Sequence, residues 1–169
     1  MPSELEKLVP AGMDARRELG QVLYALGAAL AAAVFCCLIV YVDARSDMYI
    51  TRNGIRYLNP DAEFPYCAEM AARCVPFFAA AALLMLYKLA RYVAYHYQGS
   101  RSIYTMRRLP QRAELLRRCL SLPLGGALAC LLLFAALTAL FCAVYLAVTP
   151  ADWVRPGQWE AVRRLLLGR

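Results

Sequence analysis

Three long apolar stretches, separated by polar and charged segments, set the pattern of this chain. No charged residue occurs from Leu19 to Val42, which is close to the roughly 20 apolar residues needed to cross a hydrocarbon core. A second stretch covers residues 66–95, with 79–87 its most apolar part, and a third, residues 122–148, is again uncharged. Each predicts a transmembrane helix. The small residues of the first, Gly20, Gly27, Ala28, Ala31 and Ala32, recur at helical spacing and mark a face where another helix can approach closely.

The segments between the spans carry their own signals. In the loop at 43–65, two β-prone runs, Met48 to Arg52 and Ile55 to Leu58, flank Asn53-Gly54. Both central residues of a type I′ turn need positive φ, so Asn-Gly predicts a β-hairpin. A two-stranded ribbon is marginal alone in water, and it is expected to pack on the membrane surface, a span end or a partner. In the loop at 96–121, Gln98 to Ser102 reads as a turn and Ser102 to Leu109 as irregular chain before Pro110. A short amphipathic helix is expected from Gln111 to Leu120, with Ala113, Leu116, Cys119 and Leu120 on one side. The tail at 149–169 holds Trp153 at the interface and an amphipathic helix from Pro156 to Leu167, with Trp159, Arg163 and Arg164, lying along the outer leaflet. Residues 1–18 are polar and mixed in charge. Their order is wrong for a cleavable signal peptide, so the first span is expected to stay in the mature protein.

Charge orients this arrangement, because Lys and Arg beside spans resist translocation. Arg101, Arg107, Arg108, Arg112, Arg117 and Arg118 crowd the second loop, with Glu114 as its only acid. With Lys7, Arg16, Arg17, Lys88 and Arg91 they put eleven basic residues on one side against eight on the other. The density of the second loop decides the matter. The expected order is amino terminus inside, hairpin outside, basic loop inside and carboxyl terminus outside, in the cell membrane. The fold class is an all-α membrane protein of three transmembrane helices, with a short external β-hairpin, a cytoplasmic amphipathic helix and a C-terminal interfacial helix.

Composition agrees. The chain is 62% hydrophobic and 18% charged, more apolar than soluble domains at roughly 45–50% and less charged than their roughly 25%. Its net charge of +7 flanks apolar runs and does not stripe one polar surface, which favours anionic lipid headgroups over nucleic acid. Of the seven cysteines, Cys36, Cys37, Cys130 and Cys142 fall inside apolar runs, where a thiol acts as a small hydrophobe. Cys67 and Cys74 could pair only if Cys67 sat off the helix, since seven helical positions rise about 10 Å. No metal-ligand spacing occurs, and His96 is the single histidine. At the inner end of the second span Lys88 and Arg91 are expected to snorkel, beside a belt of Tyr87, Tyr92, Tyr95 and Tyr97. At its outer end Glu69 and Arg73 stand at i, i+4 and can neutralise one another beside Pro76, which removes a backbone hydrogen bond. Paired ions beside a kink form a candidate gate or polar pathway.

Gln98-Gly99-Ser100-Arg101-Ser102-Ile103-Tyr104 followed by Met106-Arg107-Arg108-Leu109-Pro110 resembles a segment of small three-span bacterial membrane proteins that accompany ABC-type transporters. The resemblance covers the central third of the chain. It implies an auxiliary membrane subunit whose inner loop touches the ATPase or permease. No phosphate-binding loop, carboxylate pair or His cluster is present. The chain is therefore read as a non-enzymatic protein without cofactor, associating with itself or with other membrane subunits. The alternative reading is a self-assembling membrane permeabiliser of the holin kind.

Overall fold

The computed structural model describes residues 9–10, 13–98, 112–154 and 156–158, with the side chains of 96–98, 112–116 and 151 excepted. Helix α1 runs Ala15–Asp47 over 33 residues. Asp14 caps its start, its Oδ1 accepting the N–H groups of Arg16 at 3.0 Å and Arg17 at 3.4 Å. Arg16, Arg17 and Glu18 are good helix formers, so the helix begins ahead of the uncharged run and takes in residues assigned above to a polar leading segment. At the other end it carries Asp43, Arg45 and Asp47 beyond the apolar stretch.

Strand β1 (Tyr49–Arg52) pairs antiparallel with β2 (Ile55–Leu58), Tyr49 opposite Leu58 and Arg52 opposite Ile55. Asn53 and Gly54 have φ of 53° and 78°, the positive values that a type I′ turn requires. The ribbon's eight residues are exposed, and its base is anchored by the buried Met48 and by Tyr49 stacked edge-on to Trp153 at 5.9 Å.

The second span is broken near its start. Helix α2 (Cys67–Ala72) and helix α3 (Val75–Gln98) are separated by a turn at Arg73 and Cys74. Pro76 explains the break: its ring excludes the carbonyl four residues back and it has no N–H to donate there. In place of the α-helical pattern the turn uses shorter-range bonds, Cys74 N–H to Ala71 O at 2.9 Å and Phe77 N–H to Cys74 O at 3.2 Å. Proline is well placed in the first turn of α3.

Helix α4 is Arg112–Val148, 37 residues without interruption. The expected separate amphipathic helix of the basic loop is therefore the first part of the third span. Pro123 lies inside α4, where it removes the bond to the Cys119 carbonyl and crowds that carbonyl. The helix nevertheless persists through it. A short 3₁₀ turn, Ala151–Trp153, follows. The C-terminal interfacial helix expected to end at Leu167 falls almost wholly outside the described residues.

Helices Ala15–Asp47, Cys67–Tyr95 and Arg117–Val148 are each long and apolar enough to cross a membrane, which makes the chain an integral membrane protein. Their large apolar side chains face outward in numbers, among them Phe35, Leu38, Leu83, Leu86, Leu128, Leu131 and Leu140. Lipid satisfies such surfaces as well as protein does.

Contacts divide the chain into two units. One combines Met1–Ala29 with Phe78–Leu132, and the other combines Leu30–Phe77 with Leu133–Arg169. In the first, Val22, Leu26 and Ala29 are buried, as are Ala81, Met85 and Cys130. Gly126 permits the closest approach, since a Cβ there would lie 2.7 Å from Met85 Sδ and 3.2 Å from Val22 Cγ1. In the second, Met48, Phe64, Cys67, Met70, Cys142 and Tyr145 form a cluster. Tyr145 hydroxyl donates to Pro65 O at 3.0 Å, and the buried Gln158 accepts the N–H of Cys67 at 3.1 Å. The small-residue face anticipated on α1 is not the packed one: Gly20 and Gly27 meet nothing within 4 Å, while Ala29 and Ala33 are buried.

Gly126→Leu is expected to destabilise the protein by about 1–3 kcal/mol through overpacking, whereas Gly125→Ala, with open space around it, is expected to be neutral or mildly stabilising. Thermal unfolding in detergent reads both, and Met85→Ala should restore part of the Gly126→Leu loss.

Candidate functional sites: an ionic cluster and an acidic cleft

Arg91 and Tyr92 stand three and four positions after Lys88 on α3, which places both beside Lys88 on one helix face. They converge on Glu18 of α1, whose residue exposure is 3%. Lys88 Nζ lies 2.5 Å from Glu18 Oε2 and donates also to Gln21 Oε1 at 2.7 Å. Tyr92 hydroxyl donates to the same Oε2 at 3.0 Å, and Arg91 donates to Oε1 at 2.7 Å. Both carboxylate oxygens are thus occupied by charged or hydroxyl donors. The Lys88 side chain is 9% exposed and that of Arg91 is 42% exposed. One acid facing two cations leaves the cluster with an excess of positive charge.

This revises the expectation for the inner end of the second span. Lys88 does not snorkel, because it is buried against Glu18, and Tyr92, fully buried, is a hydrogen-bond donor and not a belt residue. Sequence reasoning missed Glu18 altogether. The available signal was level: on the expected topology, the acid at the edge of the first apolar run and the cations closing the second stand at the same membrane face. A buried charge must find a counter-charge there.

In the second unit a cleft of about 300 Å³ is lined by Asp43, Asp47, Glu63, Glu69 and Arg73, with Val40, Met48 and Met70 among its apolar walls. Two of the gating candidates, Glu69 and Arg73, therefore share a cavity. Among the described residues they form no ion pair. Arg73 is the C-cap residue of α2, beyond its last helical turn, and Glu69 Oε2 accepts the Tyr66 N–H at the start of that helix at 3.4 Å. Pro76 breaks the span and is exposed.

Of the basic residues singled out above, Arg101, Arg107 and Arg108 lie outside the described residues, as does the side chain of Arg112. Arg117 is exposed and Arg118 half-buried on α4. The side chain of His96 also lies outside the described residues. Among the described residues no group of three or more His, Cys, Asp or Glu is placed to hold a metal ion. Cys67 and Cys74 do not face one another. Cys67 Sγ lies 2.8 Å from Cys142 Sγ, and Cys74 Sγ lies 3.0 Å from Cys37 Sγ. Comparison with protein-family models, curated proteins and solved structures finds no match to this chain.

Breaking a buried ion pair from one side leaves an uncompensated charge and costs about 3–5 kcal/mol. Glu18→Ala and Lys88→Ala are expected to lose that much, measured by unfolding in detergent. The double variant Glu18→Leu with Lys88→Leu should lose less than either. Arg91→Ala, at an exposed position, should cost under about 1 kcal/mol.

Proposed function

We propose that this chain is a non-enzymatic subunit of a membrane transport complex of the ABC type, docking on its ATPase or permease through the arginine-rich stretch from Arg101 to Arg118. In this reading that stretch and the amino terminus lie in the cytoplasm, and the hairpin and the carboxyl terminus lie outside. The observation that supports it best is the continuity of α4: Arg112–Val148 is one helix, about 55 Å long at 1.5 Å per residue. A partner that grips the exposed Arg117 therefore grips the third span itself, with no flexible joint between.

The ionic cluster supports the same reading. It ties α1 to α3 within the unit that also holds the basic end of α4, so a contact at the arginines meets a stiffened assembly. A stretch so rich in arginine is suited to acidic partner surfaces, where charge complementarity speeds encounter and fixes register. The large apolar side chains turned outward on the three spans suit lipid or the spans of other membrane subunits, including further copies of this chain.

Two measurements test the proposal. Affinity purification in mild detergent is expected to recover an ATPase or permease subunit with the wild-type chain, and the variant with Arg107, Arg108, Arg117 and Arg118 all changed to Glu should retain about tenfold less or lower, a loss of about 1.4 kcal/mol or more. Equal recovery by both, or no such subunit with the wild type, removes the docking role. An impermeant maleimide should fail to label a Ser102→Cys variant in intact cells; labelling there reverses the orientation.

A further inference from the structure

Four of the seven cysteines meet as two sulfur pairs, both in the unit that carries the hairpin loop. Cys67 on α2 and Cys142 on α4 are 2.8 Å apart at sulfur; Cys37 on α1 and Cys74 at the α2–α3 joint are 3.0 Å apart. All four are at most 5% exposed. A disulfide needs its sulfurs at about 2.05 Å, so each pair lacks about 1 Å of approach. One pair joins the first span to the second, the other joins the second to the third, and they close separations of 37 and 75 residues.

The other three cysteines behave differently. Cys130 donates to Phe78 O at 3.3 Å, Cys119 is buried in the first unit, and Cys36 is half-buried with its thiol 3.8 Å from Arg73 O. Cys36 also interacts with Cys74, and Cys37 with Cys142, so these are competing pairings.

We propose that Cys37 with Cys74 and Cys67 with Cys142 are oxidised to two interhelical disulfides within the spans, toward their outer ends, the side on which such bonds form and persist. The proposal rests on the orientation given under Proposed function and not on the docking role. The oxidant is an organic disulfide, carried by a protein or a small molecule, that reaches the thiols before the helices close. One cysteine thiolate attacks the donor disulfide, forms a mixed disulfide and releases the first donor thiolate. The second cysteine thiolate then attacks the protein sulfur of that mixed disulfide and releases the other donor thiolate. The first exchange forms the mixed S–S bond and breaks the donor's own; the second forms the bond between the two cysteines and breaks the mixed one. The two cysteines are oxidised, the donor is reduced to two thiols, and the two cysteine protons end on them. Once packed, the bonds are shielded from hydrophilic reductants by the burial of all four sulfurs.

The full chain in its membranes is acid-quenched, alkylated with N-ethylmaleimide in detergent without reductant, digested and analysed by mass spectrometry. Alkylation is expected at Cys36, Cys119 and Cys130 only, with cross-linked peptides joining Cys37 to Cys74 and Cys67 to Cys142. Reduction before alkylation should expose all seven thiols. In a Cys142→Ser variant, Cys67 should become alkylated while the Cys37 to Cys74 peptide persists. Seven free thiols without reduction overturn the proposal, as do bridges with any other pairing, Cys36 to Cys74 included. Labelling of Ser102→Cys by impermeant maleimide in intact cells reports orientation separately. Free thiols with Ser102 outside place the failure in the orientation, and free thiols with Ser102 inside place it in the pairing itself.

Discussion

A carboxylate removed from water must be met by charge of the opposite sign, and Glu18 meets this constraint with a lysine, an arginine and a tyrosine drawn from a single helix face. In a low-dielectric setting an unmatched charge is costly by several kcal/mol, so few relative rotations or shifts of α1 and α3 are compatible with folding. Apolar packing between membrane helices is weakly directional, because lipid competes for the same surfaces. The ionic cluster supplies the direction that apolar contact does not. Gly126, against Met85 and Val22, then fits α4 closely into the same unit.

The second unit is organised by other means. Around Phe64, the rings of Tyr41, Tyr145 and Trp153 lie at centroid distances of 5.9, 5.7 and 5.9 Å, spacings at which aromatic pairs attract beyond their area alone. Tyr145 and Gln158 satisfy backbone groups at Pro65 and Cys67, where the chain turns from loop into helix. The break at Arg73 and Cys74, required by Pro76, makes α2 a short separate element whose N-terminal residue lies in this aromatic and thiol cluster. Two different kinds of glue, ionic in one unit and aromatic with thiol contacts in the other, therefore serve one set of three spans.

Much of the fold was legible in order. Uncharged runs of sufficient length have one physical outcome in a chain that must hydrogen-bond its own backbone in lipid, and Asn53-Gly54 has a turn type imposed by its φ values. What was not legible depends on which helix faces meet. Glu18 and Lys88 are 70 residues apart, and Cys67 and Cys142 are 75 apart; only the rotation of each helix about its axis decides that they touch. Gly20, Gly27, Ala28 and Ala31 stay exposed within the chain for the same reason, since small residues mark a possible approach and not its partner. The joining of the loop helix to the third span was hidden by the change from an arginine-rich amphipathic pattern ending at Leu120 to an uncharged run starting at Leu122, which one helix, Arg112–Val148, spans.

Helix α1 has 33 residues, about 50 Å at 1.5 Å per residue, whereas a hydrocarbon core is about 30 Å thick. Its uncharged part alone exceeds that thickness, and its polar ends continue the same rod into water on both sides. Such a rod meets a thinner membrane with more tilt and a thicker one by drawing in apolar turns already present, each at a cost of a fraction of a kcal/mol per Å of mismatch.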